Sequence, residues 1–477
     1  CVAANRLATL DPEQRGIEME ADKPGWNDSM NGLPGILGSA LGEALELQRL
    51  LRFLKNSLKT LKRKGGLTLS VYRELADFIR ELNKAVKKRL ASDAKTRRFI
   101  FWAESHALLE EYREKTRLGV GGKEVKIPAG RLITFLNNAL ELLELNFSEK
   151  EIKKLFSPEG VPYTYFINEV ARSRPVWEDE DNKVQAYSHT GYPLVEARSF
   201  KQRPTALFLE GPVHYLRTRP ERKEAIVRAV KESGIYDEKL KMYKSCESLK
   251  DETFEIGRVK AYPSGWIENE SVYLHMEYKY LLELLRNGLY RQFYEAIETA
   301  MVCFCDPTVY GRSVLEGASF IVSSAFPDPS LHGQAFQPRL SGITCEMLHI
   351  WTLMVAGPHP FVLNRRGQAC LSLKPALAAR FFTTEKRGFD YYDDIDGWEK
   401  ITIDPDSFAF RFIGRTLVVY RNSDRKDTFG EEGAAPRAYL LDYRDGKKEM
   451  IKGKWIPPAE TEAVRQRKIK RIDVTLG

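Results

Sequence analysis

Apolar residues fall into two different rhythms along this chain. Leu45, Leu47, Leu50, Leu51, Leu54, Leu58 and Leu61 recur at helical spacing, and the basic residues and paired glycines at 62–66 close that helix. Residues 67–90 repeat the pattern, with Ser70 as the expected cap, and residues 96–115 and 129–146 repeat it again. Four long amphipathic helices with short connections predict an α-helical layer or barrel. From 147 to 218 the period is lost, Pro and Tyr become more frequent, and 176–183 reads as a polar loop. Helices are expected again at 220–234, 268–288, 289–304 and 341–357. The stretch 311–340 is too long and too polar to be a mere connection, and loops of that length are commonly functional. After about 375 the rhythm changes to alternation around Asp/Gly turns, at 400–423 and 437–453, which predicts strands. The expected organisation is a helical domain over 1–375, irregular over about 147–218, followed by a β-sandwich-like domain over 376–477.

A chain of 477 residues exceeds one small core, in keeping with more than one domain. Its 74 Lys and Arg against 66 Asp and Glu leave a formal charge of +8, modest for this length. The basic runs at 59–66 and 465–471 read as solvated faces, since no nucleic-acid-binding signature accompanies them. Six cysteines, at 1, 246, 303, 305, 345 and 370, are too sparse for a disulfide scaffold and include no C-x-x-C pair. Cys303 and Cys305 are expected as buried free thiols, and a reducing, cytoplasmic setting is expected for the whole. No run of eighteen apolar residues predicts a membrane span.

Three segments carry candidate chemistry. In the Gly/Pro-rich stretch 22–39, Trp26, Asn27 and Asp28 stand together before the first long helix. An aromatic face for a sugar ring, an amide for hydroxyls and a carboxyl beside the indole suit a sugar pocket. Desolvation beside Trp26 would keep Asp28 protonated as a general acid, whereas the plainer role is a turn-stabilising carboxylate. Glu268, Asn269 and Glu270 open a predicted helix, where acidic residues are favoured in any case, and His275 lies on it among aromatics. Ser341 and Gly342 stand where the long loop becomes a helix, a place that can hold an anion or simply carry an N-cap serine.

The order Trp-Asn-Asp, Glu-Asn and a following His, Gly-Gln, and Ser-Gly at a helix start resembles the inverting disaccharide phosphorylases of glycoside hydrolase family 94, the cellobiose phosphorylase family, and the related β-1,3-oligoglucan phosphorylases. The resemblance covers about residues 18 to 357 and departs at Glu270 and Ser271, where the family has two small residues. It implies a mainly α fold, the C-terminal portion of an (α/α)6 barrel with long active-site loops, followed by a small C-terminal β-domain; the first part of that barrel would precede this chain. It implies Asp28 as sole catalytic acid, His275, Ser341 and Gly342 around phosphate, and Trp26, Asn27, Glu268 and Gln334 around the sugar. It implies a β-linked gluco-oligosaccharide and inorganic phosphate as substrates, no cofactor, no metal ligands, no nucleic-acid or membrane partner, and a homodimer. Two other readings stay open at this point: a β-glucan hydrolase with Glu268 or Glu270 as base, and a non-catalytic carbohydrate-binding fragment.

Overall fold

The computed structural model describes residues 1–20, 27–62, 65–92, 95–338 and 341–477. The chain is 41% helical and 26% strand, with many small antiparallel sheets, so the expectation of a mainly α fold built as an (α/α)6 barrel is corrected to a mixed helix-and-sheet architecture. The strands that overturn it lie where periodicity was least informative. The long ribbon in 147–218 is buried on both faces at its inner end and exposed on both faces from 169 to 175, so no apolar alternation marks it.

Two compact units form, one from 1–280 with 299–339 and the other from 281–298 with 340–477. In the first, the helices Val2–Ala8, Leu41–Lys62, Arg73–Leu90, Lys95–Thr116 and Ala129–Glu144 share a core that includes Leu7, Leu51, Phe78, Leu82, Phe101 and Leu143. The second of the long helices begins later than its apolar pattern does. Ser70 belongs to a strand, Thr68–Tyr72, paired antiparallel with Glu124–Pro128, and the helix starts at Arg73 without a side-chain cap.

The same unit holds a four-stranded antiparallel sheet in the order Ile17–Glu18, Gly38–Ala40, Tyr165–Pro175, Val195–Pro204. Its first two strands frame the excursion 19–37, so the Asn27–Asp28 turn is held at the rim of a sheet. A three-stranded antiparallel sheet joins Val272–Tyr273, Ala318–Ile321 and Ala335–Pro338. The stretch 311–340 is therefore partly sheet, and the helix expected from 268 begins at Leu274, because Glu270 takes a left-handed conformation (φ 57°) and Val272–Tyr273 pairs as a strand.

The second unit centres on a five-stranded sheet in the order Ser407–Phe412, Thr416–Arg421, Ile469–Leu476, Pro436–Tyr443, Lys448–Lys452. Only the Thr416–Arg421 and Ile469–Leu476 pair within it is parallel. Tyr420 and Tyr439 are fully buried there, the hydroxyl of Tyr439 donating to the Lys454 carbonyl at 2.9 Å. No helix among the described residues is long and apolar enough to cross a membrane.

Candidate functional site

The Asn27–Asn31 turn has one backbone bond of its own, from the Met30 N–H to the Asn27 carbonyl at 3.2 Å, and is fastened further from outside. The Gly32 N–H donates to the Ile256 carbonyl at 3.1 Å, and the Arg258 N–H donates to Asn31 Oδ1 at 3.0 Å. The approach is so close that a Cβ on Gly32 would lie 1.9 Å from the Glu255 carbonyl oxygen. Asp28 then opens a single 3₁₀ turn, Asp28–Met30, with its side chain exposed and Ser29 and Met30 buried on either side of the bend.

One hydrogen bond joins this turn to the second acidic segment. The Ser29 N–H donates to Glu268 Oε2 at 2.8 Å across 239 residues of sequence, which brings the buried Glu268 carboxyl next to Asp28. Burial pushes the Glu268 carboxyl upward, the Ser29 hydrogen bonds pull it down, and the negative charge of Asp28 adds to the rise. Among the described residues, two buried amide oxygens in these segments lack partners. Asn27 is 2% exposed with Oδ1 unpaired, and Asn269 donates through Nδ2 to the Tyr262 carbonyl at 2.7 Å while its Oδ1 is unpaired. An orphaned buried acceptor is costly, and a ligand hydroxyl donor would satisfy it.

The 268–271 loop is itself tightly secured. The Glu268 carbonyl accepts from Ser245 Oγ at 3.0 Å and the Ser271 carbonyl accepts from the Ser245 N–H at 2.8 Å. Glu270 forms a buried ion pair with Lys244 at 3.1 Å, and its N–H meets Cys246 Sγ at 3.3 Å. Complete burial pushes the Cys246 thiol up to about 12, so it packs as a neutral group.

Past the strand Val272–Tyr273, His275 lies half-buried in the first turn of the helix Leu274–Arg286, its ring edge-on to Tyr273 with centroids 6.0 Å apart. Gln334 is half-buried. Its carbonyl accepts from the Val322 N–H at 2.9 Å and its amide donates to the Ser330 carbonyl at 3.3 Å. The hairpin that carries it is tied to the Glu268 loop in two places. The Ser323 N–H donates to the Gly265 carbonyl at 3.3 Å, and Trp266 stacks on Phe336 with centroids 4.0 Å apart. Thus Asn27, Asp28, Glu268, His275 and Gln334 all belong to the first compact unit. Ser341 and Gly342 begin the helix Ser341–Val355, which belongs to the second. Trp26 lies outside the described residues.

Sequence reasoning missed a neighbouring cavity of about 530 Å³ in the first unit, where Arg6, Glu43, Glu46, Tyr165, Glu210 and His214 join apolar residues in the lining. Tyr165 donates to Glu210 at 2.7 Å, His214 Nε2 approaches Glu210 at 3.5 Å, and His214 Nδ1 meets Glu46 at 2.9 Å. The buried Tyr165 hydroxyl feels the charges of both Glu210 and Glu268, so this chain of polar groups borders the site. Glu43 and Glu46 lie on a helix that leucine spacing predicts, whereas Tyr165, Glu210 and His214 fall in the stretch whose period is lost, so nothing local pointed to the cavity. The thiols also differ from expectation. Cys303 is exposed and Cys305 only partly buried, because the short turn Val302–Phe304 presents them outward. Among the described residues no group of three or more His, Cys, Asp or Glu could hold a metal ion.

No protein-family model matches the chain, and no curated protein matches it significantly.

Proposed function

We propose that this chain carries the acid side of an inverting glycoside phosphorylase site, acting on a β-linked gluco-oligosaccharide with inorganic phosphate as nucleophile. The observation that carries the reading is the 2.8 Å hydrogen bond from Ser29 to Glu268, which unites the Asn-Asp turn with the Glu-Asn loop. In this reading Asp28, the exposed member of the pair, protonates the departing glycosidic oxygen. Glu268, Gln334 and the amide oxygens of Asn27 and Asn269, unpaired among the described residues, take sugar hydroxyls.

The engagement of the other carboxylates supports phosphorolysis over hydrolysis. An inverting hydrolase needs a second carboxylate across the sugar, roughly 6.5–9.5 Å from the acid, to activate water. Glu270 is committed to Lys244, and Glu268 is held to the residue following Asp28. Phosphate needs no base, since it is already an anion, and positioning supplies much of the rate. His275 is the phosphate contact in this unit. The parts given to His275, Ser341, Gly342 and Trp26 rest on the sequence resemblance alone.

The test is the product formed from a β-gluco-oligosaccharide with and without phosphate. Hexose 1-phosphate only when phosphate is present is the expected result. Free sugar without phosphate would mean a hydrolase, and binding without turnover would leave a carbohydrate-binding role.

A further inference from the structure

The strands Tyr165–Pro175 and Val195–Pro204 form a ribbon whose inner end is buried and whose outer end is not. All seven residues from 169 to 175 are exposed. Successive strand residues point to opposite faces, so exposure without alternation means that both faces of the ribbon meet solvent, over about 23 Å of reach. Beyond it the chain folds back through Trp177–Asp179 and Val184–Gln185 into a small tip. That tip leaves Tyr187, Tyr192 and Val195 at 60%, 73% and 56% exposure. A two-stranded ribbon is marginal in water on its own, and scattered single apolar residues do not account for such a cluster. The tip is also acidic, with Glu178, Asp179, Glu180 and Asp181 against Lys183.

A surface of opposite character lies elsewhere in the same unit. A groove of about 440 Å³ between the helix Arg73–Leu90 and the Glu124–Pro128 and Ala129–Glu144 segments presents Arg73, Lys87, Lys126 and Arg131 above an apolar floor that includes Ile79 and Ile127. All four cations are exposed, and Lys87, Lys126 and Arg131 form no ion pair among the described residues. The carboxylate in the groove, Asp77, is already paired with Arg80 at 2.7 Å.

We infer that the acidic ribbon tip at 176–195 docks into the basic groove of a second copy of this chain, and that the exchange is reciprocal. Each chain holds both halves of the contact, so two copies related by a two-fold axis satisfy both ribbons and both grooves at once. The occupant is assigned by complementarity: four carboxylates and an apolar cluster meet four cations and an apolar floor. The inference does not depend on the proposed catalytic reading.

Two variants of the full chain test it. One reverses the tip (Glu178→Lys, Glu180→Lys, Asp181→Lys), sparing Asp179, whose Oδ1 accepts from the 181 and 182 N–H groups at 3.0 and 3.1 Å. The other reverses the groove (Lys87→Glu, Lys126→Glu, Arg131→Glu). Sedimentation of the wild type should show a dimer that weakens with added salt, and each variant alone should dissociate about a hundredfold more readily. Mixing the two variants should restore a dimer, because the reversed tip meets the reversed groove while the unaltered pair meets the unaltered pair. Circular dichroism confirms that each variant is folded. A wild type that stays monomeric, variants that dimerise as well as wild type, or a mixture that fails to recover would each overturn the inference.

Discussion

Asp28 gains its setting from a close approach of two backbone segments. Gly32 has an ordinary backbone conformation, so nothing in φ demands glycine there; the demand comes from the Glu255 carbonyl, which a Cβ would approach to 1.9 Å. Backbone does not give way as a side chain end does. Gly32→Ala should therefore cost about 1–3 kcal/mol or more in chemical denaturation and reduce activity beyond the loss of folded protein. A variant with wild-type stability and turnover would show that the turn is not clamped. Lys244 has a similar part beneath Glu270. Their side chains are 11% and 9% exposed, so Lys244→Met leaves a buried carboxylate uncompensated, with an expected loss of about 3–5 kcal/mol. Restoring a neutral partner with Glu270→Gln in the same chain should recover much of it, and no recovery would mean that Lys244 acts by packing alone. His275→Ala should raise the apparent KM for phosphate more than that for sugar; equal effects on both would count against a phosphate contact.

Between elements, the clearest device is the clasp of helix Leu41–Lys62 to helix Glu210–Thr218 through Glu46, His214 and Glu210. Burial works against protonation of His214, but the hydrogen bonds and charges of Glu210 and Glu46 outweigh it and raise the ring above 6.5. Burial likewise raises Glu46, yet the hydrogen bond and charge of His214, helped by Arg49 and Arg217, bring it down to about 2. The histidine's contribution is fully present below pH 6.5 and is lost as pH rises through its raised folded value. That of Glu46 is present above pH 4.5 and is lost as pH falls toward about 2. His106 acts in the same direction as His214: burial disfavours its charge, and Glu18, 2.7 Å away, more than compensates. Thermal midpoints measured from pH 6 to pH 9 should fall, and replacing both histidines by glutamine should flatten that slope. A wild-type profile already flat there contradicts the clasp.

The long helices were legible from leucine spacing because each buries one face in a shared core, as Leu47, Leu51, Phe78 and Leu82 do. The strand Tyr165–Pro175 was not, since its first four residues are buried on both faces and its last seven exposed on both, which leaves no alternation to read. The Val272–Tyr273 strand was hidden for another reason. Two residues are too few to show a period, and they run directly into a helix that does. At the candidate site, residue types announced Asp28 and Glu268, but nothing local could announce that Ser29 would join them. Glu210 and His214 fell in the stretch where the helical period is lost, and only the fold placed them on a helix that borders a cavity.

In the molecule as a whole, Asp28, Glu268, His275 and Gln334 are positions in one compact unit, gathered from a chain that leaves that unit at 280 and returns to it at 299. The net charge of +8 is spread unevenly enough that an acidic ribbon tip and a basic groove coexist in that unit. In the proposed reaction one exposed carboxyl, next to one buried carboxyl, gives up its proton to a sugar leaving group while phosphate attacks. The most direct test is phosphorus NMR of the full chain with a β-gluco-oligosaccharide in phosphate buffer, wild type beside Asp28→Asn. The wild type should accumulate the α-anomer of a hexose 1-phosphate, the inverted product. The variant, with unchanged circular dichroism, should be slower by about 10²–10⁴-fold or more. A variant that works at the wild-type rate, or a wild type that forms the β-anomer, contradicts the account.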